Sequence, residues 1–150
     1  MLMETRQALL ERLNDAVEQL FDTYKTLPAP HVMVYEFWSA KDVLAHLTFW
    51  HERFARNVDD LAHGRQPNPL KGRLRDLNQR GVDEMAHLSL AEVLGRFETA
   101  HAILQAHILN PALTLIPYRK GSREYTAEEH LEIVADHINH HLRDVRKVLP

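Results

Sequence analysis

Apolar residues recur every three or four positions along most of the chain, which is the spacing expected of amphipathic α-helices. A first stripe covers residues 10–27 and is ended by Pro28. A second stripe covers residues 43–61, between Ser39, a favoured N-cap residue, and Gly64, a residue type common just beyond a helix end. These two stripes predict the first and second helices.

Two further helices are marked by capping boxes, in which a Ser or Thr is followed three positions later by Glu. The motif S-L-A-E at 89–92 opens an apolar stripe that reaches Ile108 and is stopped before Pro111. The motif T-A-E-E at 126–129 opens a stripe over residues 131–149. These stripes predict the third and fourth helices.

The segments between the helices carry weaker signals. Residues 64–88 contain prolines, glycines and a few spaced leucines, which predict a long connection with one or two short helical turns. Residues 118–125 are expected to form a short loop or a brief hairpin. Amphipathic helices bury their stripes against one another, so the sequence predicts an all-α four-helix bundle, a single domain over residues 1–150.

The composition is that of an ordinary globular protein. Hydrophobic residues make up 45% and charged residues 26%, which excludes disordered and membrane-spanning classes. The absence of cysteine excludes disulfides and thiolate chemistry, and no apolar run typical of a signal peptide is present, so we expect a cytoplasmic protein with no membrane partner. A formal net charge of -3 argues against nucleic acid as a partner, despite the cluster Lys71, Arg73 and Arg75.

Eleven histidines are more than a chain of this size usually has, and histidine serves in metal binding and in acid-base chemistry. Only His137 and His141 have the i, i+4 spacing that places two imidazoles one helical turn apart. About one such pair is expected by chance, so the spacing alone is not diagnostic. Both residues, with His130, lie on one flank of the fourth predicted helix, where two imidazoles can share a metal ion.

A catalytic metal site typically needs a third protein ligand, here from another helix. The second helix offers His46 and His51, which lie on opposite flanks of its stripe, so periodicity does not choose between them. The third helix offers His101, which is either a hydrogen-bonded core residue or part of a pocket wall. The other histidines lie in loops, at helix ends or on polar faces and are interpreted as solvated: His31, His63, His87, His107 and His140.

Three segments resemble the DinB-like superfamily of metalloenzymes. They are W-S-A-K-D-V-L-A-H-L-T-F-W-H at 38–51, S-L-A-E-V-L-G-R-F at 89–97 and D-H-I-N-H-H-L at 136–142. The resemblance looks closest to the ClbS/DfsB-type branch of four-helix bundles. It implies a long crossover between the second and third helices and a homodimer. It also implies activity on small molecules, either hydrolytic inactivation of a reactive compound or transfer of a thiol cofactor.

The resemblance further implies a metal site made by one histidine of the second helix and the H-x-x-x-H of the last helix. In this sequence these positions are His46, His137 and His141. The resemblance therefore favours His46 over His51 as the third ligand.

The leading hypothesis is a metal-dependent hydrolase or thiol transferase that acts on a small electrophilic or thiol-conjugated molecule. The cofactor would be a divalent ion, Zn or Ni in the first place and Fe or Mn as alternatives, because nitrogen ligands do not fix the metal. His46 is also a candidate catalytic residue, and Glu52, Asp42 and His101 are candidates for assisting proton transfer.

Three alternatives use the same chain without a metal. A binding or sequestering protein would hold a small molecule between aromatic walls from Trp38, Trp50 and Tyr118. A ClbS-like protective hydrolase would use His46 or Glu52 as general base. A purely structural, dimerising bundle would lack a concave pocket beside His46.

Overall fold

A computed structural model describes residues 2–149, with side chains from residue 5 onward. The elements in chain order are α1 (Leu2–Lys25), α2 (Ala40–Ala62), α3 (Leu74–Glu84), α4 (Leu90–His107), β1 (Leu115–Ile116), β2 (Tyr125–Thr126) and α5 (Ala127–Val148). The four predicted helices correspond to α1, α2, α4 and α5, so the all-α prediction is confirmed. Among the described helices, none combines the length and the apolar character needed to cross a membrane.

Capping boxes fix the starts of α2, α4 and α5. The side chains of Ser39, Ser89 and Thr126 each accept a hydrogen bond from the backbone N–H three residues later. The acidic side chain at that later position accepts from the N–H of the cap residue, so two otherwise unpaired amide donors are satisfied at each helix start. Asp42 is the acidic member in α2, where its carboxylate lies 3.0 Å from the Ser39 nitrogen. The carboxylate of Asp42 therefore has a structural partner.

The core lies between two pairs of helices. α2 packs most extensively against α4, and α1 against α5, so that the four apolar stripes meet in one cluster. Burying an aliphatic or aromatic side chain fully is worth about 1.5–3 kcal/mol, which makes this cluster the main source of stability. The largest side chains that are completely buried include Tyr24, Phe49, Phe97, Leu104, Leu131 and Ile138.

The connection between α2 and α4 contains more structure than the sequence predicts. Instead of one or two short turns, it forms α3, a helix of 11 residues that packs on α2. The contact is closest at Gly81, where a Cβ atom would lie 2.6 Å from Cγ of Phe49. The glycine that weakened the helical signal is therefore the residue that lets α3 approach α2.

A short antiparallel hairpin precedes α5. Leu115 lies opposite Thr126 and Ile116 opposite Tyr125, so the segment adopts the hairpin alternative rather than a plain loop. The hairpin places Pro117, Tyr118 and Tyr125 beside α2 and α5, where they form part of a cavity wall.

Candidate functional site

The structure brings three histidines of two helices to one point. His46 projects from α2, and His137 and His141 project from successive turns of α5. The Nε2 atom of His137 lies 3.0 Å from Nε2 of His46 and 3.0 Å from Nε2 of His141. Donor nitrogens of all three residues lie within 4.8 Å of one another, so the three could hold one metal ion.

A tyrosine fixes the orientation and the tautomer of His141. The hydroxyl of Tyr35 donates to Oδ2 of Asp144 at 2.6 Å and lies 2.8 Å from Nδ1 of His141. Because the single hydroxyl proton points to Asp144, the hydroxyl oxygen accepts from the Nδ1–H of His141. Nε2 of His141 then carries a lone pair that faces His137. Such an outer partner is what a metal-binding histidine usually has.

The surroundings keep all three imidazoles neutral at physiological pH. Burial, followed by the charge of neighbouring imidazoles, lowers the pKa of His46 to about 3 and the pKa values of His137 and His141 to about 4. Burial and the hydrogen bond to Asp144 raise the pKa of the Tyr35 hydroxyl, so it remains a donor. Neutral imidazole is the form that binds a metal ion, so the electrostatics and the geometry agree.

Two of the three separations between the nitrogens are close to those between the ligands of a tetrahedral metal ion. Both 3.0 Å contacts of His137 are made by its Nε2 atom, which carries either one N–H or one lone pair, so they cannot both be well-directed hydrogen bonds. Zinc at about 2.0–2.1 Å from each nitrogen would hold ligands about 3.3 Å apart, close to the observed spacing. One feature is unusual, since Nδ1 of His46 is buried without a partner among the described residues.

The three histidines lie at the wall of a cavity of about 700 Å³, within the usual range for small-molecule sites. Side chains of α2 and α5 form its two long walls, and α3, the hairpin and Trp38, which precedes α2, contribute the remainder. Much of the lining is aromatic. The ring of Trp38 lies 4.8 Å from that of His46, and the ring of Trp50 lies 5.2 Å from that of Tyr118.

His51 and His101 occupy a separate buried network on the other side of α2. Nε2 of His51 lies 2.9 Å from Nδ1 of His101, whose Nε2 lies 2.7 Å from Oδ1 of Asn14. The ring of His51 stacks on Phe97 at 4.2 Å. Of the two candidates on α2, the structure therefore places His46 in the cavity and His51 in the core beside His101.

Glu52 also lies away from the three histidines. Its two carboxylate oxygens accept hydrogen bonds from Arg96 at 2.6 and 3.0 Å, and neither Glu52 nor His101 lines the cavity. The structure therefore does not bring Glu52 or His101 to the three histidines.

The structure also shows features that the sequence does not predict. Tyr35 belongs to the loop before α2, and no sequence pattern connects it to His141. A second small cluster lies at the end of α2, where Oδ1 of Asp59 lies 3.3 Å from His63 and 3.5 Å from His107. In the sequence, this cluster is indicated only by the i, i+4 spacing of Asp59 and His63. Arg65 pairs with the same carboxylate at 2.7 Å, which makes the cluster a weaker cation site.

Comparison with known proteins identifies the family. The sequence profile of the DinB superfamily matches residues 1–145, so the chain belongs to this superfamily. The predicted superfamily is thus confirmed, while the closeness to the ClbS/DfsB-type branch stays a prediction. No curated protein matches the chain.

Two solved structures share the fold. One is the crystal structure of the mycothiol-dependent maleylpyruvate isomerase, with a TM-score of 0.75 and 12% sequence identity over 93% of this chain and 60% of that one. A histidine-to-alanine mutant of that isomerase has a TM-score of 0.74 with the same identity and coverage. At this identity the similarity establishes the fold, and the chain spans 60% of the isomerase's length.

Proposed function

We propose that this protein is a metal-dependent enzyme that acts on a small electrophilic or thiol-conjugated molecule in the cavity between α2 and α5. The observation that carries the proposal is the convergence of the Nε2 atoms of His46, His137 and His141 at the wall of that cavity. Three neutral imidazoles leave coordination positions open, as catalytic rather than purely structural metal sites do.

A divalent ion bound here would supply Lewis acidity, lowering the pKa of a water or thiol or polarising a carbonyl oxygen. The chain's own residues would prepare that chemistry. Tyr35 and Asp144 hold His141 in the tautomer that presents Nε2. Trp38 packs against His46, with the two ring centres 4.8 Å apart. Zn and Ni are the first candidates, with Fe and Mn as alternatives, because imidazole suits several of these ions.

The cavity supports a substrate of small-molecule size. Aromatic rings from Trp38, Trp50, Tyr118 and Tyr125 provide flat apolar surface and reduce water near the histidines. Hydrolysis and thiol transfer are both compatible with this arrangement. The structural similarity to an enzyme described as mycothiol-dependent supports thiol transfer as the first activity to test.

Metal-free binding, or a ClbS-like protective hydrolysis, is the second candidate. The observation that favours it is the buried Nδ1 of His46, which lacks the outer hydrogen-bond partner usual for a metal ligand. In this case the aromatic walls would hold the small molecule and the three histidines would not bind an ion.

The test compares metal-loaded protein with protein stripped by a chelator. Two probes are used: p-nitrophenyl acetate for hydrolysis, and chlorodinitrobenzene with a low-molecular-weight thiol for transfer. The proposal predicts turnover that requires the metal and is lost in His46→Ala. The matched control is His130→Ala, because His130 lines the same cavity but its Nε2 is bonded to the Ile116 carbonyl at 2.8 Å. Turnover that survives chelation would favour the metal-free hydrolase.

A homodimer and a cytoplasmic location remain predictions. Gel filtration with light scattering tests the first, and a monomer at micromolar concentration would contradict it.

A further inference from the structure

The cavity wall contains a cation that has no acidic partner. Arg53, on α2, lines the cavity, and its guanidinium makes no ion pair or hydrogen bond within residues 5–149. The two acidic side chains whose charges act on Arg53, Glu52 and Glu84, form ion pairs with other residues. Glu52 pairs with Arg96 at 2.6 Å, and Glu84 pairs with Arg80 at 2.8 Å. The positive charge of Arg53 is therefore available to a ligand.

The acidic residue in the lining does not neutralise Arg53. Asp136 lines the cavity from α5, but its carboxylate is paired with Arg12. Burial, followed by the charges of Arg56 and Arg80, lowers the pKa of Arg53, and the charges of Glu84 and Glu52 offset this only in part. An anion in the cavity would relieve this unfavourable environment.

The guanidinium has a defined position. Its central carbon lies 5.4 Å from the centre of the Phe49 ring, at cation-π distance. Phe49 itself is buried beneath Gly81 of α3. A half-buried, positioned guanidinium loses less freedom on binding an anion than a solvated arginine does.

Arg53 and the candidate metal centre share one face of α2. Arg53 follows His46 by seven residues, which is about 20° short of two full turns and about 10.5 Å along the helix axis. Trp50 lies between them on the same face and also lines the cavity. A molecule lying along this face can contact the guanidinium at one end and the three histidines at the other.

We infer that Arg53 binds the carboxylate of an acidic substrate whose reactive group lies at His46, His137 and His141. The inference rests on the proposed function in taking this cavity as the substrate site. A carboxylate matches the planar fork of a guanidinium with two parallel hydrogen bonds. Among the lining residues that the structure describes, Arg53 is the one lysine or arginine, which favours a substrate with one carboxylate at this end.

The test uses two probes of the same shape, phenylbutyrate and its uncharged amide. Each is titrated into protein stripped of metal and desalted, so that a carboxylate cannot bind an ion instead. Binding is followed by tryptophan fluorescence, since both tryptophans of the chain line the cavity. Wild type is expected to bind the carboxylate about 10- to 100-fold more tightly than the amide, as a charge-assisted pair provides.

Two variants test whether Arg53 causes the preference for the carboxylate over the amide. Arg53→Gln is expected to remove it while leaving amide affinity unchanged, and Arg53→Lys is expected to restore part of it. Arg56→Gln is the matched control, because Arg56 is an exposed arginine of the same helix outside the lining. Circular dichroism and a thermal melt establish that each variant is folded.

One set of outcomes would contradict the inference alone, and another would also contradict the proposed function. Equal affinity of wild type for the two probes, or a preference retained in Arg53→Gln, would overturn the role of Arg53 and leave the cavity as a small-molecule site. No binding of either probe at millimolar concentration would count against both the inference and the proposed substrate cavity.

Discussion

Tyr35→Phe is the most informative single change around the candidate metal centre, because it removes one oxygen atom that makes two hydrogen bonds. In the wild type this oxygen lies 2.8 Å from Nδ1 of His141 and 2.6 Å from Oδ2 of Asp144. Without it, His141 loses the partner that fixes its ring and its tautomer. We therefore expect the three-histidine site to bind a metal ion less tightly in the variant.

The magnitude follows from the role of such partners. Loss of a group that orients a metal-binding histidine typically lowers metal affinity by about 10- to 100-fold, which corresponds to about 1.4–2.7 kcal/mol. The hydroxyl also connects the loop before α2 to α5. We therefore expect the metal-free variant to lose about 1–2 kcal/mol of unfolding free energy through the lost hydrogen bonds.

The assay is competition for Zn between the protein and a chromophoric chelator, well below the melting temperature of the variant. Tyr118→Phe is the matched control, since its ring lines the cavity but its hydroxyl makes no hydrogen bond within the described residues. Equal zinc affinity of wild type and Tyr35→Phe would refute the argument that Tyr35 positions His141. An equal loss in Tyr118→Phe would show that the effect is not specific to His141.

Two predictions concern stability. Burial lowers the pKa of His101 from 6.5 to about 4, so the unfolded chain binds a proton that the folded chain does not. In metal-free protein, this residue is expected to lower the free energy of unfolding by about 3 kcal/mol as the pH falls from 6.5 to 4, with no effect above that range. Urea unfolding at a series of pH values measures this loss. If the free energy of unfolding depended on pH with the same slope in wild type and in His101→Gln, the prediction would be contradicted. Gly81→Ala is expected to destabilise by about 1–2 kcal/mol through the clash with Phe49. Gly95→Ala has open space and should gain up to about 1 kcal/mol, so equal urea midpoints would contradict the packing argument.

Local sequence signals predicted most of the fold. The capping boxes at Ser89 and Thr126 begin α4 and α5 in the structure, because the signal and the interaction are both contained in four consecutive residues. α3 was underestimated for the opposite reason. It is short, it contains Gly81, and it depends on packing against Phe49 of α2, which is distant in the sequence.

The candidate site also combines features that are local in the sequence with features that depend on distant residues. The spacing of His137 and His141 is a local helical feature and could be found in the sequence. The choice of His46 over His51 needed the resemblance, because the two lie on opposite flanks of one stripe. Tyr35 and Arg53 could not be found from sequence. The position of Tyr35 comes from a loop that reaches α5, and the availability of Arg53 depends on ion pairs made by other residues.

Metal content tests most directly whether His46, His137 and His141 hold a divalent metal ion. Untagged protein is analysed by elemental mass spectrometry, as wild type, as the double variant His137→Ala, His141→Ala, and as His140→Ala, an exposed histidine of the same helix. We expect close to one equivalent of Zn, Ni, Fe or Mn in wild type and in His140→Ala, and none in the double variant. A wild type that stays metal-free after incubation with each ion, or a double variant that keeps its metal, would contradict this expectation.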